Sequence, residues 1–435
     1  MTRSTLALVA VTACLLLESG PADAGPTNPT ASSSSAGSSA GMRLDQLKLR
    51  IVGRPSPEAP WTDRPTEARA DDGAELAVVL LARERRPGKK PRRVVFMDDL
   101  GDVVLHRRQV RPAMIRPWSE LEATLGPVEL RWSAIEPHAW RREGVKARNG
   151  TSTRFHSNVS LDPDTYGAWL GYDEIEYFAT ELGPWSRSPS RRRQPASARP
   201  PRPVDDIHDG LGTMRYQVEA RLADGRELAT AGTDASDRAG ILPSVHRVSL
   251  RRDDTFLGYL TSYFMVPEVF GSAGVGRNHQ TERFTGADCA DVLTGALRRA
   301  GHSRVWHTSV AGLTQYTRWV NRGATLSGDG AVTSDDGGEF PEGEIAIQPG
   351  DIIRIDYGGS MAAKAPRAWD HVAALYRDRS DPDGPHAGGP DGVLDGFDLI
   401  VHMGHPHLVV EPLQSQGPAR IDVLRWSPKK LGRRQ

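Results

Sequence analysis

Short apolar runs alternate with turn residues along much of the chain, a pattern that is typical of β-strands. In the first half this pattern predicts strands at Leu76–Leu81, Val94–Met97, Val103–Leu105, Val128–Ile135, Met214–Leu222 and Ile241–Leu250. In the second half it predicts strands at Asp351–Tyr357, His371–Tyr376, Asp398–His402 and Leu408–Pro412. We expect Val94–Met97 and Val103–Leu105 to pair as a hairpin, because only a short turn separates them. Shorter helices are predicted in the second half of Asp162–Leu182 and within Leu313–Val320.

One stretch has the three- and four-residue spacing of an amphipathic helix instead. Its apolar positions are Val292, Leu293, Ala296, Leu297 and Ala300. Asp288 can cap the first turn, with Asp291 three residues later as in a capping box, and Gly301 suits the left-handed position after the last turn. The spacing therefore predicts a helix that begins at Cys289 and stops at Gly301.

Cys289 stands in the first turn of this predicted helix. It is one of two cysteines in the chain. The other, Cys14, lies in a segment that we expect to be removed, so no internal disulfide is expected. The backbone N–H groups and the positive dipole end of a first turn stabilise a thiolate. We interpret Cys289 as a candidate nucleophile, and the alternative is a small buried cysteine on an ordinary amphipathic helix.

The N-terminal segment has the pattern of a signal peptide. Arg3 provides a positive start, Leu6–Leu17 forms an apolar core too short to span a bilayer, and small residues precede Gly25. We therefore expect cleavage of this segment and a secreted or periplasmic protein. A lipoprotein attached at Cys14 is the less favoured alternative, because Cys14 lies inside the apolar core.

Charge and composition argue against two classes of partner. The chain has 55 Lys+Arg and 55 Asp+Glu, so no overall field points to nucleic acid. Beyond the signal segment no stretch reaches the roughly 18 apolar residues of a membrane helix, so no stable membrane insertion is expected. These features leave the oligomeric state open.

Two histidines stand where a general base and its orienting partner are expected beside a nucleophile. His371 opens one predicted strand and His402 closes the next. If these strands are antiparallel neighbours, the start of one lies beside the end of the other, and the imidazoles can meet. Cys289 packed on the same sheet completes a Cys–His–His arrangement, which needs no cofactor. The alternative is a pair of structural histidines.

A metal site is a competing interpretation of the same region. His402, His405, His407 and Glu411 lie close together in the sequence. On a strand His405 and His407 share a face, whereas His402 falls on the other, and Pro406 interrupts regular pairing. The spacing matches no zinc motif, so we predict no metal site.

Five pieces of the C-terminal third occur in an order that resembles the NlpC-type cysteine peptidases, papain-like endopeptidases of bacterial cell walls. The pieces are Val266–Ser272 (VPEVFGS), Asp288–Val292 (DCADV), Pro349–Ile353 (PGDII), His371–Tyr376 (HVAALY) and Ile400–His402 (IVH). The resemblance implies Cys289 as the nucleophile, His371 as the general base and His402 as the residue that orients the base. The substrate-binding positions that it implies are Asp288, Glu268 and Phe270.

Three features depart from the family pattern, and one of them is the extra loop Asp378–Asp395 between His371 and His402. Glu268 stands where the family has a tyrosine near the oxyanion, and a carboxylate there repels a tetrahedral oxyanion. Ala290 and Asp291 stand where the family has serine and glycine after the cysteine. One alternative is therefore an inactive papain-like module used for binding, and another is a related thiol amidase or acyltransferase.

The pattern and the resemblance together imply a fold and a function. The expected fold is an α+β, papain-like C-terminal domain, with a helix packed on an antiparallel sheet, after a mainly β, sandwich-like N-terminal region. The expected segments are a signal peptide (1–24), a flexible Ser/Gly-rich tether (25–42), a β-rich domain (43–185), an Arg/Pro-rich linker (186–205), a β segment (206–254), an NlpC-type catalytic domain (255–415) and a basic tail (416–435). The expected function is a secreted cysteine hydrolase that cleaves an amide bond in peptidoglycan stem peptides or in another peptide or amide substrate.

Overall fold

The structure, a computed structural model, describes ten stretches of the chain. They are residues 43–99, 101–141, 173–198, 208–237, 240–269, 271–273, 280–334, 346–358, 369–404 and 406–432. The predicted signal peptide, the predicted tether and Phe270 therefore lie outside the described residues.

The first sheet has long apolar strands at its centre and short strands towards its edges. Its described strands are β1 (Arg43–Arg54), β2 (Trp61–Thr62), β4 (Glu75–Arg85), β5 (Arg92–Phe96), β6 (Val103–Leu105), β7 (Arg108–Gln109), β8 (Ile115–Arg116) and β11 (Arg193–Pro195). Their order is β7-β6-β2-β1-β4-β5-β8, and β11 also pairs with β4. β1 and β4 are antiparallel from Arg43↔Arg85 to Arg54↔Glu75.

The second sheet faces the first across a shared core. Its described strands are β3 (Thr66–Arg69), β9 (Glu129–Arg141), β10 (Asp173–Glu181), β12 (Gly212–Arg221), β13 (Glu227–Ala229) and β16 (His246–Arg251). Their order is β10-β9-β12-β16-β3, with β13 on β12, and β14 (Ser236–Asp237) and β15 (Gly240–Ile241) form a small ribbon. The core between the two sheets includes Leu80, Phe96, Trp132, Tyr216 and Val248.

The segment between residues 186 and 205 contributes to the first sheet. β11 lies within this predicted linker and pairs with β4 through Arg193↔Ala77. β12, which follows the segment in the sequence, pairs with β9, which precedes it. Strands from both sides of the segment therefore share one sheet.

The third sheet contains the strands that carry both candidate histidines. Its described strands are β17 (Thr317–Leu326), β18 (Val332–Ser334), β19 (Ile352–Asp356), β20 (His371–Arg377), β21 (Leu399–Met403), β22 (Leu408–Pro412) and β23 (Ala419–Trp426). Their order is β18-β17-β23-β19-β20-β21-β22, and all of these pairs are antiparallel. β23 comes from the predicted basic tail and forms an internal strand of the sheet.

Helices are short throughout the described part of the chain. The α-helices are α1 (Trp118–Leu125), α2 (Phe256–Thr261), α3 (Gln280–Arg283), α4 (Cys289–Arg299) and α5 (Pro428–Leu431), and the 3-10 helices are Pro112–Met114, Pro189–Arg192, Ala311–Gln315 and Leu413–Gln416. α4 packs its apolar face on the third sheet, where Leu293 and Ala296 share a core with Val372 of β20. Within the described residues no helix is both long and apolar enough to cross a membrane.

The expected α+β, papain-like fold class is wrong. The protein is mostly β, with 42% of residues in strands and 16% in helices, and its sheets curl into half-barrels. α4 has 11 residues, whereas the other described α-helices have 8 residues or fewer. Strand pairing, rather than helix formation, therefore satisfies most of the backbone hydrogen-bonding groups.

Three local predictions are also wrong, and tertiary pairing explains each of them. β5 pairs with β4 and β8 while β6 pairs with β2 and β7, so these two strands form no hairpin. Residues 173–181 form β10 instead of a helix, because they pair with β9 from Asp173 to Glu181. Residues 317–326 form β17, which pairs with β23, and only Ala311–Gln315 is helical. The other predicted strands overlap observed ones.

Candidate active site

Asp288 caps helix α4 as the sequence predicts. Its Oδ1 accepts a hydrogen bond from Asp291 N at 2.7 Å, and its Oδ2 accepts one from Gly271 N at 3.1 Å. Cys289 is then the first residue of the helix, and it remains partly exposed. The predicted capping box is not formed, because Ser272 Oγ accepts the hydrogen bond from Asp288 N at 3.1 Å.

Asp291 holds the loop that precedes the helix. Its Oδ2 accepts hydrogen bonds from Ser272 Oγ at 2.9 Å and from Ala273 N at 2.8 Å. Its Oδ1 lies 2.9 Å from Nδ1 of His307. These contacts attach residues 271–273 to the first turn of α4 and so fix the backbone on one side of Cys289.

Glu268 lies beside the chain that leads into α4. It forms a parallel bridge with Ala287, two residues before Cys289. Ala287 N donates a hydrogen bond to Pro267 O at 3.0 Å, which aligns the two segments. The structure therefore brings the predicted Glu268 close to Cys289, whereas the predicted Phe270 lies outside the described residues.

The charges around Cys289 oppose a thiolate. Burial raises the pKa of the thiol well above its ordinary value, and the carboxylates of Asp288, Glu268 and Asp291 raise it further. The expectation that the helix start lowers this pKa is therefore wrong at this site. Cys289 is a neutral thiol at neutral pH, so a base must remove its proton during any nucleophilic attack.

Replacing Glu268 with glutamine is expected to make Cys289 more reactive towards iodoacetamide. The substitution removes one of the negative charges that raise the thiol pKa. Each unit by which a pKa falls increases the thiolate fraction about tenfold. We expect roughly threefold to tenfold faster alkylation of the variant at pH about 8. The measurement is the alkylation rate of protein that lacks residues 1–24, in which Cys289 is the sole cysteine.

Glu120→Gln provides the matched control, since Glu120 lies in α1 and makes an exposed ion pair with Arg116. This variant is expected to react at the wild-type rate. Equal alkylation rates for wild type and Glu268→Gln would show that the carboxylate of Glu268 does not set the reactivity of Cys289.

His371 and His402 face each other on adjacent strands. β20 and β21 are antiparallel with Ala373 opposite His402, so the start of one strand lies beside the end of the other, as predicted. His371 Nε2 and His402 Nδ1 are 2.8 Å apart, and the rings meet edge to face with centroids 4.9 Å apart. The predicted contact between the two imidazoles is therefore present.

Glu411 extends this pair to a third residue. Its Oε1 lies 2.9 Å from His402 Nε2. The hydrogen bond from His402 lowers the pKa of Glu411 to about 2, against the effect of its burial, so the side chain is a carboxylate. Register explains the contact, because His402 pairs with Val409 and residues two apart on a strand share a face.

The carboxylate determines which nitrogen carries each proton. An ionised Glu411 can only accept a hydrogen bond, so His402 donates from Nε2 and keeps a lone pair on Nδ1. His371 then donates from Nε2 to His402, which leaves Nδ1 of His371 with a free lone pair. Burial, and then repulsion from His402 when that ring is charged, lower the pKa of His371 to about 3, so this imidazole is neutral. The arrangement presents His371 Nδ1 as a base.

Tyr357 and Gln416 complete the group, and sequence reasoning missed both. Gln416 Nε2 donates to Glu411 Oε1 at 2.5 Å, and Gln416 Oε1 accepts a hydrogen bond from the hydroxyl of Tyr357. The Tyr357 ring stacks on His371 with centroids 6.4 Å apart. Burial raises the pKa of Tyr357, and Cys289 contributes to the shift, so Tyr357 lies within electrostatic reach of the thiol.

Among the described residues, no hydrogen bond joins Cys289 to the imidazole of His371 or of His402. β20 packs against α4, and Val372 faces that helix, whereas Ala373 faces the opposite core. His371 is the first residue of the strand, and the alternation of side chains places it with Ala373. The thiol and the base therefore lie on neighbouring elements but are not in contact.

Comparison of the chain with protein-family models, with characterised proteins and with solved structures finds no match. The roles assigned to Cys289, His371 and His402 therefore rest on the sequence and on the contacts described above. The resemblance to the NlpC-type cysteine peptidases stays a prediction from five short pieces of sequence.

The histidines that were considered as metal ligands contact different residues. His402 contacts Glu411, whereas the ring of His407 lies against His208 with centroids 5.7 Å apart. His405 lies outside the described residues. Within the described stretches, no group of three histidine, cysteine, aspartate or glutamate side chains could hold a metal ion.

Proposed function

We propose that the protein is a cysteine hydrolase that transfers the acyl group of an amide substrate to water. The observation that supports this most strongly is the Glu411–His402–His371 relay, which leaves His371 Nδ1 as a free base. The relay starts on the strand that packs against α4, and α4 begins with Cys289. An imidazole oriented by a carboxylate and a thiol on the neighbouring helix supply the base and the nucleophile that nucleophilic catalysis requires, and the reaction needs the two to come into contact.

The reaction follows from these groups. His371 Nδ1 removes the thiol proton as Cys289 Sγ attacks the carbonyl carbon, and the positive charge on His371 is stabilised through His402 by Glu411. The same proton passes to the departing amine, which leaves an acyl-thioester on Cys289. Water then attacks the thioester and gives its proton to His371, the bond from the carbonyl carbon to Cys289 Sγ breaks, and Sγ takes that proton back from His371 as the carboxylic acid is released. Backbone N–H groups at the start of α4 are suited to bind the oxyanion.

The substrate class rests on the sequence alone. The five pieces that resemble NlpC-type peptidases favour an amide bond in peptidoglycan stem peptides. The predicted signal peptide favours a site of action outside the cytoplasm, which suits such a substrate. A related amidase or acyltransferase uses the same residues but gives a different product.

A binding module without catalytic activity is the second candidate, and two observations favour it. The thiol pKa of Cys289 is raised, and no hydrogen bond joins its Sγ to His371 among the described residues. In that case His371 and the four polar side chains grouped with it serve only to hold the ends of the strands together. Product formation separates the two candidates.

The experiment incubates purified protein lacking residues 1–24 with isolated peptidoglycan and identifies the released peptides by mass spectrometry. Wild type is expected to release peptides with a new amine and a new carboxylate, and Cys289→Ala is expected to release none above background. In added hydroxylamine, a product that carries the hydroxamate identifies the acyl-enzyme. Equal product from wild type and Cys289→Ala, or no product from either, would contradict the proposal.

A further inference from the structure

A cavity of about 650 Å³ lies at the far end of the third sheet from His371. It forms where the start of α2 meets the turn before β19 and the end of β23. Its wall includes Phe256, Leu257, Gly350, Arg318, Arg425 and Trp426. His371 pairs with Ile355 near the end of β19, whereas Gly350 precedes the start of that strand. The cavity and the histidines are therefore separated by the length of β19, roughly 16 Å.

Two arginines in the wall lie directly opposite each other. Arg318 of β17 pairs in register with Arg425 of β23, and like charges in this position destabilise a sheet. Asp351 compensates Arg425 through two hydrogen bonds, each of 2.6 Å. Arg318 is exposed and has no hydrogen bond or ion pair among the described residues. One uncompensated positive charge therefore stands in the wall of the cavity.

The cavity also has an aromatic surface. Phe256 and Trp426 pack edge to face with ring centroids 5.4 Å apart. Trp426 Nε1 is buried and has no hydrogen-bond partner among the described residues, an arrangement that is costly in a folded protein. The one carboxylate in the wall, Asp253, already accepts hydrogen bonds from Thr255 N and Arg252 Nε. Arg318 and the indole N–H of Trp426 are therefore donors without a partner in this part of the described chain.

The geometry points to a binding site for a small organic anion with a flat apolar body, such as an aromatic carboxylate. The anionic group pairs with Arg318 and so relieves the contact between like charges. The apolar body lies against the rings of Phe256 and Trp426. None of these residues belongs to the group around Cys289 and His371, so this site is independent of the proposed hydrolase activity.

The test uses two probes that share an aromatic body and differ in charge. One is 8-anilinonaphthalene-1-sulfonate, and the other is its neutral analogue N-phenyl-1-naphthylamine, each titrated into the protein and followed by fluorescence. Arg318→Gln is expected to weaken binding of the sulfonate about tenfold, because a charge-assisted contact is lost. The same variant is expected to bind the neutral analogue with wild-type affinity.

Arg322→Gln is the matched control, since Arg322 is exposed on the same strand and its guanidinium lies over Trp319, outside the cavity. It is expected to bind the sulfonate as wild type does. Equal sulfonate affinities for wild type and Arg318→Gln would overturn the proposal, and so would equal weakening by Arg318→Gln and Arg322→Gln, which would indicate a general charge effect.

Discussion

Replacing His371 with alanine is expected to lower kcat/KM for hydrolysis by roughly 10²–10⁴-fold, the range that a positioned general base contributes. His371 Nε2 lies 2.8 Å from His402 Nδ1, which leaves Nδ1 of His371 as the free lone pair of the relay. The thiol of Cys289 has a raised pKa, so it depends on this base more than a preformed thiolate does. Steady-state kinetics on the peptide bond identified with isolated peptidoglycan provide the measurement.

The pH dependence of the same reaction follows from the pKa of the base. Burial, and then repulsion from His402 when that ring is charged, lower the pKa of His371 to about 3. The imidazole therefore stays neutral, and able to accept a proton, at every pH above that value. Wild-type kcat/KM is expected to persist in mildly acidic solution and to fall only as the pH approaches about 3.

His386→Ala is the control for the comparison of His371→Ala with wild type. His386 is an exposed histidine in the loop between β20 and β21. That loop follows Arg377, the last residue of β20, whereas His371 is the first residue of the same strand. The control is expected to retain wild-type kcat/KM. If His371→Ala retains it as well, His371 is not the base and the hydrolase proposal fails.

Replacing Asp422 with asparagine is expected to lower the free energy of unfolding by about 3–5 kcal/mol, the cost of leaving one buried charge without its partner. Asp422 of β23 lies directly opposite Arg354 of β19, and their side chains are 7% and 5% exposed and form an ion pair. The Arg354 guanidinium also lies between the rings of Trp319 and Trp369. Urea unfolding followed by tryptophan fluorescence measures the change.

Two controls test whether the stability lost in Asp422→Asn comes from a buried charge without a partner or from the loss of an ion pair in general. Asp224→Asn breaks an ion pair with Arg226 in which both side chains are 48% exposed, and it is expected to cost far less stability than Asp422→Asn, because solvent screens exposed ion pairs. The double variant Arg354→Met with Asp422→Leu removes both buried charges and is expected to recover much of the lost stability. A cost for Asp422→Asn no larger than that for Asp224→Asn would show that the buried pair does not stabilise the sheet.

Local sequence patterns were sufficient to predict where α4 begins and which segments form the strands that carry the two histidines. The cap at Asp288 and the apolar spacing after Cys289 specify a helix through contacts within a few residues, so no distant part of the chain is needed. His371 begins one apolar run and His402 closes the next, and these runs form the consecutive strands β20 and β21. Their contact required only that the two strands pair antiparallel, as they do.

Contacts between distant segments explain what the sequence did not reveal about the site. Glu411 reaches His402 because of the register between β21 and β22, and Gln416 joins Glu411 to Tyr357 across 59 positions of the chain. Burial, and then the carboxylates of Asp288 and Glu268, raise the pKa of Cys289, and backbone pairing brings Glu268 beside α4. Such electrostatic effects depend on distances in space, which a linear pattern does not contain.

Short-range periodicity was enough to place the candidate nucleophile at the start of its helix and the two histidines at the ends of their strands. The fold class depends instead on tertiary pairing, since residues near the C-terminus form the internal strand β23 and 42% of residues lie in the strands of curled sheets. Tertiary contacts also make Cys289 a neutral thiol and place Glu411 at the end of the relay. Burial and cross-strand register, which bring together charges far apart in the chain, are the physical reason.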